Sequence, residues 1–211
     1  AQRKGSEQAV ESLLAKPKPK KALAKVSDAQ ALAEMTKCVF RSGFVWKIIE
    51  NKWAGFEEAF FNFDVTRCAM LADEELEALQ NNAAIVRHAK KIMSVRRNAA
   101  FILEVRSSHG GFGKYLADWP DDDFIGLWAE LKKRGDRLGG QTGRYFLRFI
   151  GRDTPMLSAD VVRALVEQGV VEKEPTSKSA LVQTQAAFNR WRNESGRSYN
   201  EISRVLAFTI D

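Results

Sequence analysis

The sequence predicts an all-α fold on three observations. Apolar residues recur three and four positions apart through almost every segment, the spacing that lines one side of a helix. Glycine, proline, serine and aspartate punctuate the chain at helical lengths. No stretch alternates Val, Ile or Thr with polar residues as a half-buried strand does. With 211 residues, 45% of them hydrophobic, the chain has the length of one large domain or two small lobes and enough apolar content for a core.

The elements follow in order. Residues Gln8 to Lys16, with Val10, Leu13 and Leu14 on one side, read as a short helix that Pro17 and Pro19 stop. Lys16, Lys18, Lys20 and Lys21 then make a basic tether, so residues 1–26 are expected to be an extension and 27–211 the folded domain. Ser27-Asp28 supplies an N-cap for a helix carrying Leu32, Met35, Val39 and Phe40 inward and ending near Ser42-Gly43. A second helix restarts at once with Phe44, Trp46, Ile48 and Ile49. After Gly55, residues Phe56, Phe60, Phe61 and Phe63 stand at helical spacing as core, and Asp64 turns the chain.

Asp73 is expected to cap Glu74 to Gln80, and the run from Ala84 to Val105 to form one long helix with a buried face and a basic face. His109 to Gly113 reads as a loop, Tyr115 to Trp119 as a helical turn, and Phe124 to Lys133 as a helix leading into Gly139-Gly140. A helix is expected from Thr142 through Phe149, then a loop from Gly151 to Pro155. Ser158 caps a helix from Ala159 to Gln168 that Gly169 ends. Pro175-Thr176-Ser177 opens another with Ala180, Val182, Ala186, Ala187 and Trp191, and Ser195-Gly196 separates it from a last one with Ile202, Val205 and Leu206.

The formal charge of +6 favours a polyanionic partner over a small neutral metabolite. Cys38 and Cys68 lie thirty positions apart, without metal-ligand neighbours, so reduced thiols and a cytoplasmic setting are expected, with no disulfide and no zinc. No long apolar run and no leader-like N-terminus stands out, and no membrane is expected.

The densest chemistry lies between residues 131 and 146. Gly139 and Gly140 let the backbone turn sharply and bring N–H groups against a phosphate, and the helix that follows points its positive end at the same anion. Lys132, Lys133, Arg134, Arg137 and Arg144 add cations, with Gln141 and Thr142 at the turn itself. Such a turn suits a DNA strand, and Arg87 and Lys91 are candidates to extend its surface.

Three ordered stretches resemble the DNA-3-methyladenine glycosylase I family of the helix-hairpin-helix DNA glycosylase superfamily. They are Arg41-Ser42-Gly43-Phe44-Val45-Trp46, close to the family's Gln-Ala-Gly-Leu-Ser-Trp; residues 85–92 with Asn98-Ala99; and residues 131–135 running into Gly140-Gln141-Thr142 and Tyr145. The likeness covers roughly residues 28 to 165. It implies an all-helical, two-lobed, helix-hairpin-helix fold, a monomer acting on double-stranded DNA with alkylated bases, and a hydrolase that removes a base turned out of the stack.

The resemblance makes Trp46 the base-stacking residue, with Gly43, Phe44 and Phe40 beside it, and Lys132, Lys133, Arg134, Gly139, Gly140, Gln141, Thr142 and Arg144 the DNA-binding set. The family's pocket glutamate aligns on Cys38. Glu34, one turn earlier, and Asp160, in the first turn of the helix beyond the hairpin, are the carboxylates on offer, so Cys38, Glu34 and Asp160 are the catalytic candidates. The family's zinc ligands have no counterparts here, while a monovalent cation on hairpin carbonyls is compatible with the resemblance. The alternative reading is a non-catalytic helix-hairpin-helix protein that recognises damaged DNA.

Overall fold

The computed structural model describes residues 11–14 and 16–210. Of the helix expected over residues 8–16, residues 8–10 and 15 lie outside them, and residues 12–14 and 16 are not helical. The described residues contain helices joined by turns and loops, and no strand: α1 (Lys20–Leu23), α2 (Asp28–Arg41), α3 (Trp46–Asn51), α4 (Trp53–Ala59), α5 (Val65–Ala69), α6 (Asp73–Asn81), α7 (Ala89–His109), α8 (Phe112–Asp118), α9 (Phe124–Arg134), α10 (Gly140–Ile150), α11 (Ala159–Glu167), α12 (Lys178–Ser195) and α13 (Tyr199–Thr209). None of these helices is long and apolar enough to cross a membrane.

The chain divides into two compact units. One holds Pro19–Trp119 and Trp128–Ile150, and the other Pro120–Leu127, residues 151–210 and the described residues before Pro19. In the first unit α2 packs on α7 and α10, and α5 and α6 lie along α7. Ser27 and Gln30 form a reciprocal capping box that starts α2, and Leu32, Met35, Val39 and Phe40 are fully buried along it. In the second unit α13 packs on α11 and α12. There Phe124 meets the rings of Phe188 and Tyr199, and the Asp153 carboxylate accepts from the Tyr199 and Asn200 amides to hold the start of α13.

Several expected boundaries move. The long helix begins at Ala89 rather than Ala84, because the Asn82 side chain accepts from the Ala84 amide and Lys52 donates to the Ala83 carbonyl, turning the chain first. It then runs on to His109, where Gly110 ends it in the left-handed region. The cap of α6 is Ala72, not Asp73: the Glu75 carboxylate reaches back to the Ala72 amide. Phe61, expected in the core, is exposed, since residues 61–63 all take positive φ and break the helical run. That turn is held by the stacked rings of Trp53, Phe56, Phe60 and Phe63, while Phe61 lies outside under the Arg67 guanidinium. Asp64 caps α5, a short helix the periodicity did not reveal. The helix after the glycine pair starts at Gly140, two residues earlier than expected.

Candidate functional site

The site lies in the first unit, where the end of α2 and the start of α3 meet one face of α10. Cys38, Arg41, Ser42, Gly43, Trp46, Gln141, Thr142, Tyr145 and Phe149 line a cavity of about 220 Å³, small against the pockets that take drug-sized molecules. Helical geometry explains the lining. Cys38 and Arg41, three apart, share a face of α2, and Tyr145 and Phe149, four apart, share a face of α10.

Aromatic rings make the walls. The Trp46 indole meets Tyr145 edge-on at 5.4 Å and Phe149 at 5.9 Å, while Tyr145 and Phe149 stack on each other at 5.6 Å. Trp46 is 40% exposed, a high figure for an indole inside an aromatic cluster, so its ring is available to a visitor. Arg41 lies over the same ring, its guanidinium 4.9 Å from the indole and 5.3 Å from Phe149, and its Nη2 donates to Glu50 Oε1 at 3.0 Å.

Cys38 is nearly sealed, and its thiol donates to Glu34 Oε1 at 3.6 Å. Burial, then the neighbouring Glu34 charge, pushes its pKa far up, so it stays a neutral thiol at any working pH. Glu34 itself does not line the cavity.

The turn that leads into α10 is pinned by α7. The buried Asn98 amide donates to the Asp136 carbonyl at 3.1 Å and its oxygen accepts from the Asp136 amide at 2.7 Å, while Arg97 pairs with the Asp136 carboxylate at 3.0 Å. Gly140 takes φ +58, and a Cβ on Gly143 would lie 2.2 Å from the Leu138 carbonyl oxygen, so both positions exclude a side chain for different reasons. The first turn of α10, with Gln141 and Thr142, thus lies at the rim of the same cavity that holds Trp46.

A model of the methyladenine glycosylase family matches residues 9–146, well over half of the chain. The chain belongs to the methyladenine glycosylase family. A DNA-3-methyladenine glycosylase of Haemophilus influenzae is 25% identical over 53% of the chain and 70% of its own length. DNA-3-methyladenine glycosylase 1 of Escherichia coli is 29% identical over 43% of the chain and 49% of its own length, so the chain spans about half of that relative. Among solved structures, 3-methyladenine DNA glycosylase I from Staphylococcus aureus matches with a TM-score of 0.53 at 23% identity, covering 60% of the chain and 77% of that protein, which is a likeness of fold.

Set against the family expectations, the structure gathers Cys38, Gly43, Trp46, Gln141 and Thr142 around one cavity and leaves others elsewhere. Phe40 is a correction: it is fully buried, edge-on to Phe56 at 4.6 Å, because one residue before Arg41 on a helix faces a different side. Phe44 is exposed beside His88 and does not line the cavity.

Arg134 is committed to Glu104 and Glu130 and lies over Phe101, so it braces the hairpin instead of offering a free charge. Arg144 lies over Trp128. Lys91, a candidate for the basic surface, is buried instead. Its amine donates to the Phe40 carbonyl at 3.2 Å and the Ser42 carbonyl at 2.5 Å, holding the end of α2, and burial lowers its pKa to about 8. Lys132, Lys133, Arg137 and Arg87 are exposed.

Asp160 belongs to the other unit, exposed in the first turn of α11 and beyond the residues that the family model matches. Among the described residues no cluster of three or more His, Cys, Asp or Glu could hold a metal ion. Sequence reasoning missed Arg41, Tyr145 and Phe149 as cavity residues. The i, i+4 aromatic pair on α10 was the signal available for the last two.

Proposed function

We propose that this member of the methyladenine glycosylase family hydrolyses the N-glycosidic bond of an alkylated purine of the 3-methyladenine type, working as a monomer on double-stranded DNA. The observation that carries this reading is the shared cavity of Trp46 and the start of α10. A backbone phosphate bound at the first turn of α10, with Lys132, Lys133 and Arg137 nearby in sequence, delivers an extruded base to the indole. The two buried free thiols fit a reducing, cytoplasmic setting.

The chemistry asks for little acid–base equipment. Alkylation leaves the purine with a positive charge, so the departing base needs no proton, and the protein has only to hold it, exclude competing water and admit one nucleophilic water at C1′. This agrees with a cavity lined by a neutral thiol and no carboxylate. Water, not lysine, is the nucleophile in this reading, because the Lys91 amine is committed to two carbonyls and does not line the cavity.

The test is release of methylated base from alkylated duplex DNA, with Trp46→Ala as control. Release by the wild type, reduced a hundredfold or so by the variant, is the expected outcome. DNA binding without release from any alkylated duplex would instead support the non-catalytic reading, which the thiol at position 38 favours.

A further inference from the structure

We propose that Arg41 is a catalytic residue that drives the charged purine off its sugar by electrostatic repulsion in the bound state. The proposal rests on the glycosylase reading above. Arg41 is the single charged side chain among the residues that line the cavity. It ends α2 with its side chain only 13% exposed, over the Trp46 ring, so its charge is fixed inside the chamber.

The other ionisable groups on α2 do not cancel it there. Asp28, at the other end of the helix, faces Arg106 and the Phe112 amide, Lys37 lies over Trp53, Glu34 accepts from the Cys38 thiol and is outside the lining, and the thiol remains neutral. The carboxylate that pairs with Arg41 belongs to Glu50 on α3, which is half exposed, so water weakens its pull and it offsets the guanidinium charge only in part.

A cationic purine reaching the exposed part of the Trp46 ring meets a guanidinium 4.9 Å from the centre of that same ring, so the two cations share its attraction. That opposes binding. During heterolysis the C1′–N bond breaks with its electron pair passing to the base nitrogen, so the purine becomes neutral while positive charge develops at C1′. The sugar stays with the phosphate chain at the cavity mouth, farther from Arg41 than the base. Water then adds its oxygen to C1′ and releases a proton to solvent, giving neutral purine and an abasic sugar. The repulsion between Arg41 and the base is present in the ground state and fades as the bond breaks, which is the differential effect that raises a rate constant at the expense of affinity.

Two substitutions test this in opposite directions. Arg41→Met keeps the apolar stem and removes the charge. In single-turnover assays on duplex DNA carrying one cationic methylpurine, its half-saturating concentration is expected to fall about fivefold and its rate constant about tenfold. Glu50→Gln removes the screening carboxylate and should raise both quantities, and it remains a test if Arg41→Met fails to fold. A readout without turnover is equilibrium dialysis with 7-methylguanosine, kept cationic in mildly acidic buffer, against guanosine: Arg41→Met should tighten binding of the charged nucleoside alone.

Weaker substrate binding by Arg41→Met, an unchanged rate constant, or both variants moving the same way overturns the role of Arg41 while base release by the wild type preserves the glycosylase reading. No release by the wild type overturns that reading, and the catalytic role of Arg41 with it, whatever the dialysis shows.

Discussion

At the scale of single residues, the cavity is built from groups whose ionisation the fold decides. Burial, the main cause at both sites, pushes the Cys38 thiol far up and the Cys68 thiol to about 12. Neither thiol is expected to react with iodoacetamide in mildly alkaline buffer while the chain is folded, and both should react in urea, as mass spectrometry would read. Lys91 shifts the other way. Its folded pKa of about 8 lies below the ordinary lysine value of roughly 10.4, so in that window the unfolded chain binds more protons than the folded one. Stability contributed at this site should therefore rise with pH across the window. Urea unfolding of wild type against Lys91→Met checks the sign; a wild-type advantage that shrinks as pH rises would mean that the amine keeps its proton in the fold.

At the scale of elements, the hairpin and its helix make the sharpest predictions. Gly140→Ala puts a β-carbon on a left-handed residue with open space around it, a cost of about 1–2 kcal/mol from backbone conformation alone, and misdirects the first amides of α10. DNA affinity should fall while the fold survives. Gly143→Ala forces a contact with the Leu138 carbonyl and should lower thermal stability more than Gly140→Ala does. Asn98→Ala removes both bonds to Asp136 and is expected to cost about 1–3 kcal/mol in urea unfolding, because buried backbone groups lose their partner.

These same elements show what the sequence made legible. Local signals survived well: Ser27 and Ser158 each cap the helix expected of them, and Ser177 caps the one that Pro175-Thr176-Ser177 opens, since a cap depends on residues three apart. Asn82 and the left-handed turn at Phe61 were not legible, because a side-chain turn and a packed aromatic stack override the apolar spacing that extends a helix on paper. At the site, Trp46, Gly43 and the glycine pair stood out as motif residues. Arg41 stood in the same motif but not as a site residue: its position in the cavity depends on α10 packing against the end of α2, a tertiary fact without a local signature.

At the scale of the whole molecule, the net charge of +6 and the exposed Lys132, Lys133 and Arg137 set how binding responds to salt. Each cation that neutralises a phosphate contributes about −0.9 to the slope of log affinity against log salt on duplex DNA. Neutralising Lys132 and Lys133 together should flatten that slope by nearly two, whereas Arg134→Gln should leave it almost unchanged and lower stability instead, its partners being Glu104 and Glu130. Equal slopes for the wild type and both variants would show that the hairpin does not meet the phosphate chain.

Helix α7 spans 21 residues, and its Lys91 and Asn98 are both buried. The first secures the carbonyls where α2 gives way to the loop before Trp46, and the second secures the turn before Gly140. Seven residues along a helix is close to two turns, about 10.5 Å on nearly the same side. One rigid rod therefore works as a gauge block, setting the interval between the indole and the hairpin turn. Inserting a single residue between positions 91 and 98 would swing one anchor about 100° around the rod, leaving each half sound and the two out of step.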